Sequence, residues 1–73
     1  MTKRSTPITN RVRELREVNG QMSQASLAKA IGVTRQTITA IEQGHYSPSL
    51  ESAFRIALEF GVGIEEVFGW EEP

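Results

Sequence analysis

Apolar residues recur along this 73-residue chain at three- and four-residue intervals rather than in alternation, and glycines and prolines divide them into short groups. That pattern predicts five helices. The first covers residues 9–18, with Val12 and Leu15 inward, Ile8 and Val18 at the edges of the stripe, and Asn19-Gly20 ending it. Ser23 is placed to cap a second helix over 24–31 that buries Leu27, Ala28 and Ile31 and stops at Gly32. Thr34 caps a third over 35–43, whose only large apolar residues are Ile38 and Ile41, supported by Val33; Gly44 closes it. After the loop signal Ser47-Pro48, Leu50 opens a fourth helix carrying Leu50, Ala53, Phe54, Ala57, Leu58 and Phe60. It is the most apolar segment and is therefore expected at the centre. A fifth helix over 64–68 offers Ile64, Val67 and Phe68, and Trp70 follows. The expected organisation is a flexible arm at 1–8, one domain at 9–69 and an acidic tail at 70–73.

Residues 24–43 read QASLAKAIGVTRQTITAIEQ, with small and branched residues where two helices crossing at a sharp angle need them. Ala28 permits close approach, Gly32 supplies a tight turn of positive φ, and Ile38 and Ile41 pin the third helix onto its neighbours. At about 100° per residue, burial of those isoleucines turns Gln36, Thr39, Ala40 and Gln43 outward, with Arg35 at the flank. A face kept only for solubility would carry Glu and Lys pairs; this one is short, uncharged and rich in hydrogen-bonding groups. Gln can contact adenine and Arg guanine through two hydrogen bonds each, and the methyls of Ala40 or Thr39 can meet thymine.

Charge placement sharpens this picture. The net charge is only -1, yet residues 1–35 hold seven basic side chains against two acidic ones (+5), and residues 36–73 hold one against seven (-6). Such separation suits a molecule with one face toward phosphates and another toward solvent or a partner. Composition also excludes chemistry. With no Cys, no Asp and the single His45, neither a metal cluster nor a nucleophilic triad can be assembled, so no enzyme, cofactor or metal is expected. Glu65, Glu66, Glu71 and Glu72 read as a solvated acidic end. No apolar run approaches the roughly 20 residues of a membrane span, and the lack of cysteine suits a reducing cytoplasm.

The helix-turn-helix stretch, together with Arg11, Val12, Leu15 and Arg16 before it and Pro48-Ser49-Leu50 and Phe60-Gly61-Val62 after it, resembles the Cro and lambda-repressor-like family over about residues 10–68. The loop Gly20-Gln21-Met22-Ser23 departs from it by one extra residue. The resemblance implies an all-α, compact five-helix lambda-repressor-like DNA-binding domain of bacterial or phage type. It also implies that Arg35, Gln36 and Ala40 meet base edges, with Thr39 as a subsidiary base contact, and that Gln24, Thr37, Gln43 and His45 meet the DNA backbone. His45 can equally be a plain exposed loop residue. Arg16 and Glu42 match a family pair that joins the first helix to the end of the third, a structural role. Lys3 and Arg4 either reach over the DNA as an arm or belong to a disordered terminus.

A helix this short reads only a few base pairs, so specific binding implies two copies on half-sites about 34 Å apart. The expected partners are a double-stranded DNA operator and a second copy of the chain, with no membrane and no small-molecule ligand. Val62, Ile64, Val67, Phe68 and Trp70 are the candidate dimer interface; the alternative is that they cap the core around Phe54. The function expected is a sequence-specific transcriptional regulator acting as a repressor by operator occupancy. An antitoxin-type autoregulator and a protein-interaction module that has kept the fold are the rivals.

Overall fold

A computed structural model describes residues 4–72. Side-chain caps set where the central helices begin. Ser23, Thr34 and Ser49 accept from the backbone N–H of Ser26 at 2.9 Å, Thr37 at 3.2 Å and Ser52 at 3.1 Å. Each satisfies one of the donors that a helix start leaves free. They open α2 (Gln24–Ile31), α3 (Arg35–Glu42) and α4 (Leu50–Phe60), after α1 (Val12–Val18) and before the single-turn α5 (Ile64–Val67). The turn from α2 to α3 needs φ = 81° at Gly32, a backbone state costly to any residue with a Cβ. In the loop 20–23 the chain reverses through two successive left-handed residues, Gly20 at φ 75° and Gln21 at φ 54°.

All five helices are present, and two short strands are added to them. β1 (Ile8–Asn10) pairs antiparallel with β2 (Phe68–Trp70), matching Ile8 to Trp70, Thr9 to Gly69 and Asn10 to Phe68. The first helix therefore starts at Val12 rather than residue 9. Asn10 Oδ1 accepts from the Val12 N–H at 3.1 Å and starts it there, while Asn10 Nδ2 donates to the Ile41 carbonyl at 2.8 Å and ties β1 to α3. Phe68 leaves the fifth helix for the strand.

The same pairing brings Ile8 and Trp70 into the domain, although both fall outside the expected 9–69. Upstream of Ile8 the chain is held too. Ser5 N–H donates to the Gly44 carbonyl at 2.8 Å, and the Pro7 carbonyl accepts from Glu71 N–H at 2.8 Å. The Arg4 guanidinium reaches the Pro7 carbonyl and the Glu71 carboxylate, each at 3.3 Å. These bonds seat Arg4 against the domain and leave no loose arm at that position; Lys3 lies outside the described residues.

Val12, Leu27, Ile38, Ile41, Ile56 and Val67 are the fully buried large side chains at the centre of the core. α4 packs on α2, α5 and α1, as a central helix should. Its inward face is Ala53, Ile56, Ala57 and Phe60; Leu50, Phe54 and Leu58 stand outward at 72%, 48% and 77% exposure. Ile56, not Phe54, is thus the core residue of this helix. Small Ala53 and Ala57 let α4 approach its neighbours, which selects that face over the equally apolar one beside it. Val18 is also exposed, beyond the reach of the core at the end of α1.

Candidate nucleic-acid interface

α3 is fixed from within by Ile38 and Ile41, which are 0% and 1% exposed. Burying those two leaves Arg35, Gln36 and Gln43 exposed and Thr39 and Ala40 half-buried. These five residues line one shallow depression of about 290 Å³ on the outer side of α3. No carboxylate lies among them, and among the described residues Arg35 takes part in no ion pair. The surface therefore offers hydrogen-bond donors, acceptors, methyl groups and one uncommitted guanidinium.

Thr37 is half-buried beside the N-cap, its hydroxyl 3.0 Å from that of Thr34. With Thr34, Gln36 and Ala40 it borders a second depression that also takes in Tyr46, half-exposed in the loop after α3. Tyr46 went unnoticed in the sequence because a loop residue has no periodicity to place it; its nearness to His45 was the only signal. Gln43 and His45 are exposed at the far end of α3. Gly44 turns the chain there with φ 75°, and a Cβ on it would collide with the Arg4 side chain.

Behind the outer face lies a charged network. Arg16 donates through Nε to Glu42 Oε2 at 2.6 Å, through Nη2 to Glu42 Oε1 at 3.0 Å, and through Nη1 to the Met22 carbonyl at 2.8 Å. The two side chains are 12% and 7% exposed. Hydrogen bonding to Glu42 raises the Arg16 pKa above the ordinary guanidinium value despite partial burial. The raised value means that the Arg16 charge is present throughout the neutral range and that its share of the pair is lost only as pH rises far above neutrality. Arg16 also offsets the negative charge of Glu42, which lines a cleft that shares Thr39 and Gln43 with the depression. Gln24 joins in: its Nε2 donates to Glu42 Oε1 at 3.0 Å, and its Oε1 accepts from Thr39 Oγ1 at 3.0 Å. On α1, Arg11 with Glu14 and Arg13 with Glu17 form exposed pairs of little energetic weight.

The expected dimer residues are dispersed in burial. Val67 is 1% exposed and belongs to the core, as the one fully buried residue of the single-turn α5; it is not available to a partner. Val62, Ile64 and Phe68 are partly buried against the core. Trp70 is 65% exposed, its indole N–H donating to Glu72 at 3.0 Å. Among the described residues no helix is long and apolar enough to cross a membrane.

A family model described as helix-turn-helix matches residues 12–67. An uncharacterised HTH-type transcriptional regulator of Methanocaldococcus jannaschii is 57% identical over 51 residues, covering 70% of this chain and 77% of the relative. The cryptic phage CTXphi transcriptional repressor RstR of Vibrio cholerae is 37% identical over 59 residues, 81% of this chain but 52% of the repressor. Among solved structures, the restriction-modification controller protein C.AhdI of Aeromonas hydrophila superposes with a TM-score of 0.69 at 31% identity, covering 75% of this chain and 82% of the controller.

Proposed function

The chain belongs to the helix-turn-helix family of Cro and lambda-repressor-like transcriptional regulators, and from that premise we propose that it binds operator DNA as a homodimer, with α3 in the major groove, and represses by occupancy. The observation that carries the proposal is the outer face of α3, where burial of Ile38 and Ile41 leaves Arg35, Gln36, Thr39 and Ala40 around one depression. Bidentate contacts from Arg35 and Gln36 and methyl contacts from Ala40 and Thr39 read base edges. Gln24, Thr37, Gln43 and His45 bind the flanking backbone and set the register. Similarity to a phage transcriptional repressor supports repression as the outcome.

Fluorescence titration with operator and scrambled duplexes tests this reading. Affinity for the operator is expected to exceed that for the scrambled duplex and to fall steeply with salt, because phosphate contacts release counterions. Equal affinity for both, insensitive to salt, would favour a protein-interaction module instead.

Dimerisation rests on apolar surface that the domain leaves uncovered. Leu50, Phe54 and Leu58 stand four residues apart on the outer side of α4, and Trp70 is exposed after α5. The stripe has a leucine on either side of one phenylalanine, so it is its own complement across a two-fold axis through Phe54, as an isologous interface requires. Ile64 and Phe68 adjoin its Leu50 end, lining one groove with it. Leu58→Glu is expected to convert a dimer into a monomer in sedimentation equilibrium and to weaken operator binding. Thermal stability of the monomer is expected to hold, since the side chain is 77% exposed. A dimer that survives the substitution would remove α4 from the interface.

A further inference from the structure

We infer that Thr39 is a positioning residue whose hydroxyl, together with Glu42, holds the Gln24 side-chain amide in the one orientation that presents an N–H to a DNA phosphate. The inference rests on the DNA-binding reading above and adds to it how the backbone contact is prepared. A primary amide has two ends of opposite character, and a half-turn about its last torsion exchanges them. In this protein both ends are engaged from α3. Thr39 Oγ1 donates to Gln24 Oε1, and Gln24 Nε2 donates to Glu42 Oε1, both at 3.0 Å.

The reversed orientation is disfavoured by Glu42. It sets the amide oxygen against that carboxylate, which Arg16 holds in place through two hydrogen bonds. A hydroxyl can accept as well as donate, so Glu42 sets the direction of the amide, and Thr39, whose hydrogen is shared between Gln24 Oε1 and the Arg35 carbonyl at 3.1 Å, ties its oxygen end to α3. In the orientation held, one Nε2 hydrogen goes to Glu42 and the second is left for an outside acceptor. Gln24 and Thr39 line a polar cleft with Gln43, Arg13, Arg16 and the carboxylates Glu17 and Glu42; each carboxylate is paired with one of the two arginines, which offsets its repulsion of an approaching anionic oxygen. A reversed amide would offer that oxygen an acceptor and repel it. Thr39 therefore acts on the DNA backbone through Gln24, distinct from any contact its methyl makes with a base.

The variants that separate the two roles are Thr39→Val, which keeps the methyl and loses the hydroxyl, and Thr39→Ser, which does the reverse. With the full chain and its selected operator at fixed salt, Thr39→Val is expected to weaken binding about three- to tenfold, the scale of one hydrogen bond. Thr39→Ser gives up whatever its methyl contributes at a base edge but is expected to bind a scrambled duplex, where only backbone contacts count, within about twofold of the unaltered chain. Thr39→Val made on top of Gln24→Ala is expected to add almost nothing, since the group it positions is gone. In the DNA-free protein, the two Gln24 side-chain amide protons are expected to lie away from the positions of solvent-exposed glutamines in nuclear magnetic resonance spectra and to move toward those positions in Thr39→Val but not in Thr39→Ser. Full affinity in Thr39→Val, or an equal loss with and without Gln24, would overturn the inference, as would unaltered Gln24 resonances. If the unaltered chain selects no operator, the DNA-binding reading itself fails, and the amide resonances then report separately whether the lock exists.

Discussion

Arg16→Ala is expected to destabilise the domain by about 3 kcal/mol, the lower end of the cost of removing one partner from a buried ion pair, since this pair is only part-buried. Three acceptor contacts disappear together: both Glu42 oxygens lose Arg16, and the Met22 carbonyl loses its donor. Glu42 is 7% exposed, too enclosed for water to replace the guanidinium fully, and the neutral Gln24 amide is its one remaining polar neighbour in the network. Small domains have total stabilities near the lower end of about 5–15 kcal/mol, so a loss of this size removes a large share of the total. Urea unfolding followed by circular dichroism measures it. Glu42→Ala made together with Arg16→Ala is expected to recover part of the loss, because the orphaned charge is removed with its partner. A shift of less than about 1 kcal/mol in Arg16→Ala would place the pair with ordinary surface ion pairs.

Gln36→Ala is expected to do the opposite: no change in fold, and a loss of operator affinity of about 1–3 kcal/mol per half-site, roughly five- to 150-fold. Gln36 is exposed and not part of the core, so its truncation should move the unfolding midpoint by no more than about 0.5 kcal/mol. The affinity loss is expected to concentrate at one base pair of each half-site, with preference relaxed there and the salt slope unaltered, since a neutral side chain displaces no counterion. Arg35→Ala is expected to relax a neighbouring position in the same way. A uniform loss over all duplexes would assign both residues to the phosphates.

Much of this was legible because it is local. Ser23 and Thr34 announce helix starts through their own side chains, and the two isoleucines of α3 fix its outer face by spacing alone. What escaped the sequence depends on partners distant in the chain. Ile8-Thr9-Asn10 is too short to display a period, and only pairing with Phe68–Trp70 makes it a strand. α4 has two adjacent apolar faces, and periodicity cannot choose between Phe54 and Ile56; packing of Ala53 and Ala57 against the domain does. Val67 looked like interface because a one-turn helix gives too little pattern to tell its inner side from its outer. The sequence marks Gln24 as a backbone contact alone, and its bonds to Thr39 and Glu42 arise only when α2 and α3 cross.

The most direct test of the central claim, that the outer face of α3 reads DNA, is selection from a random duplex library by the unaltered chain and by Arg35→Ala and Gln36→Ala in parallel. The unaltered chain is expected to enrich a two-fold-symmetric motif with half-sites about one helical turn apart, and each variant to lose preference at a different position within the half-site. Enrichment of the same motif by all three proteins, or of none by the unaltered chain, would contradict the account.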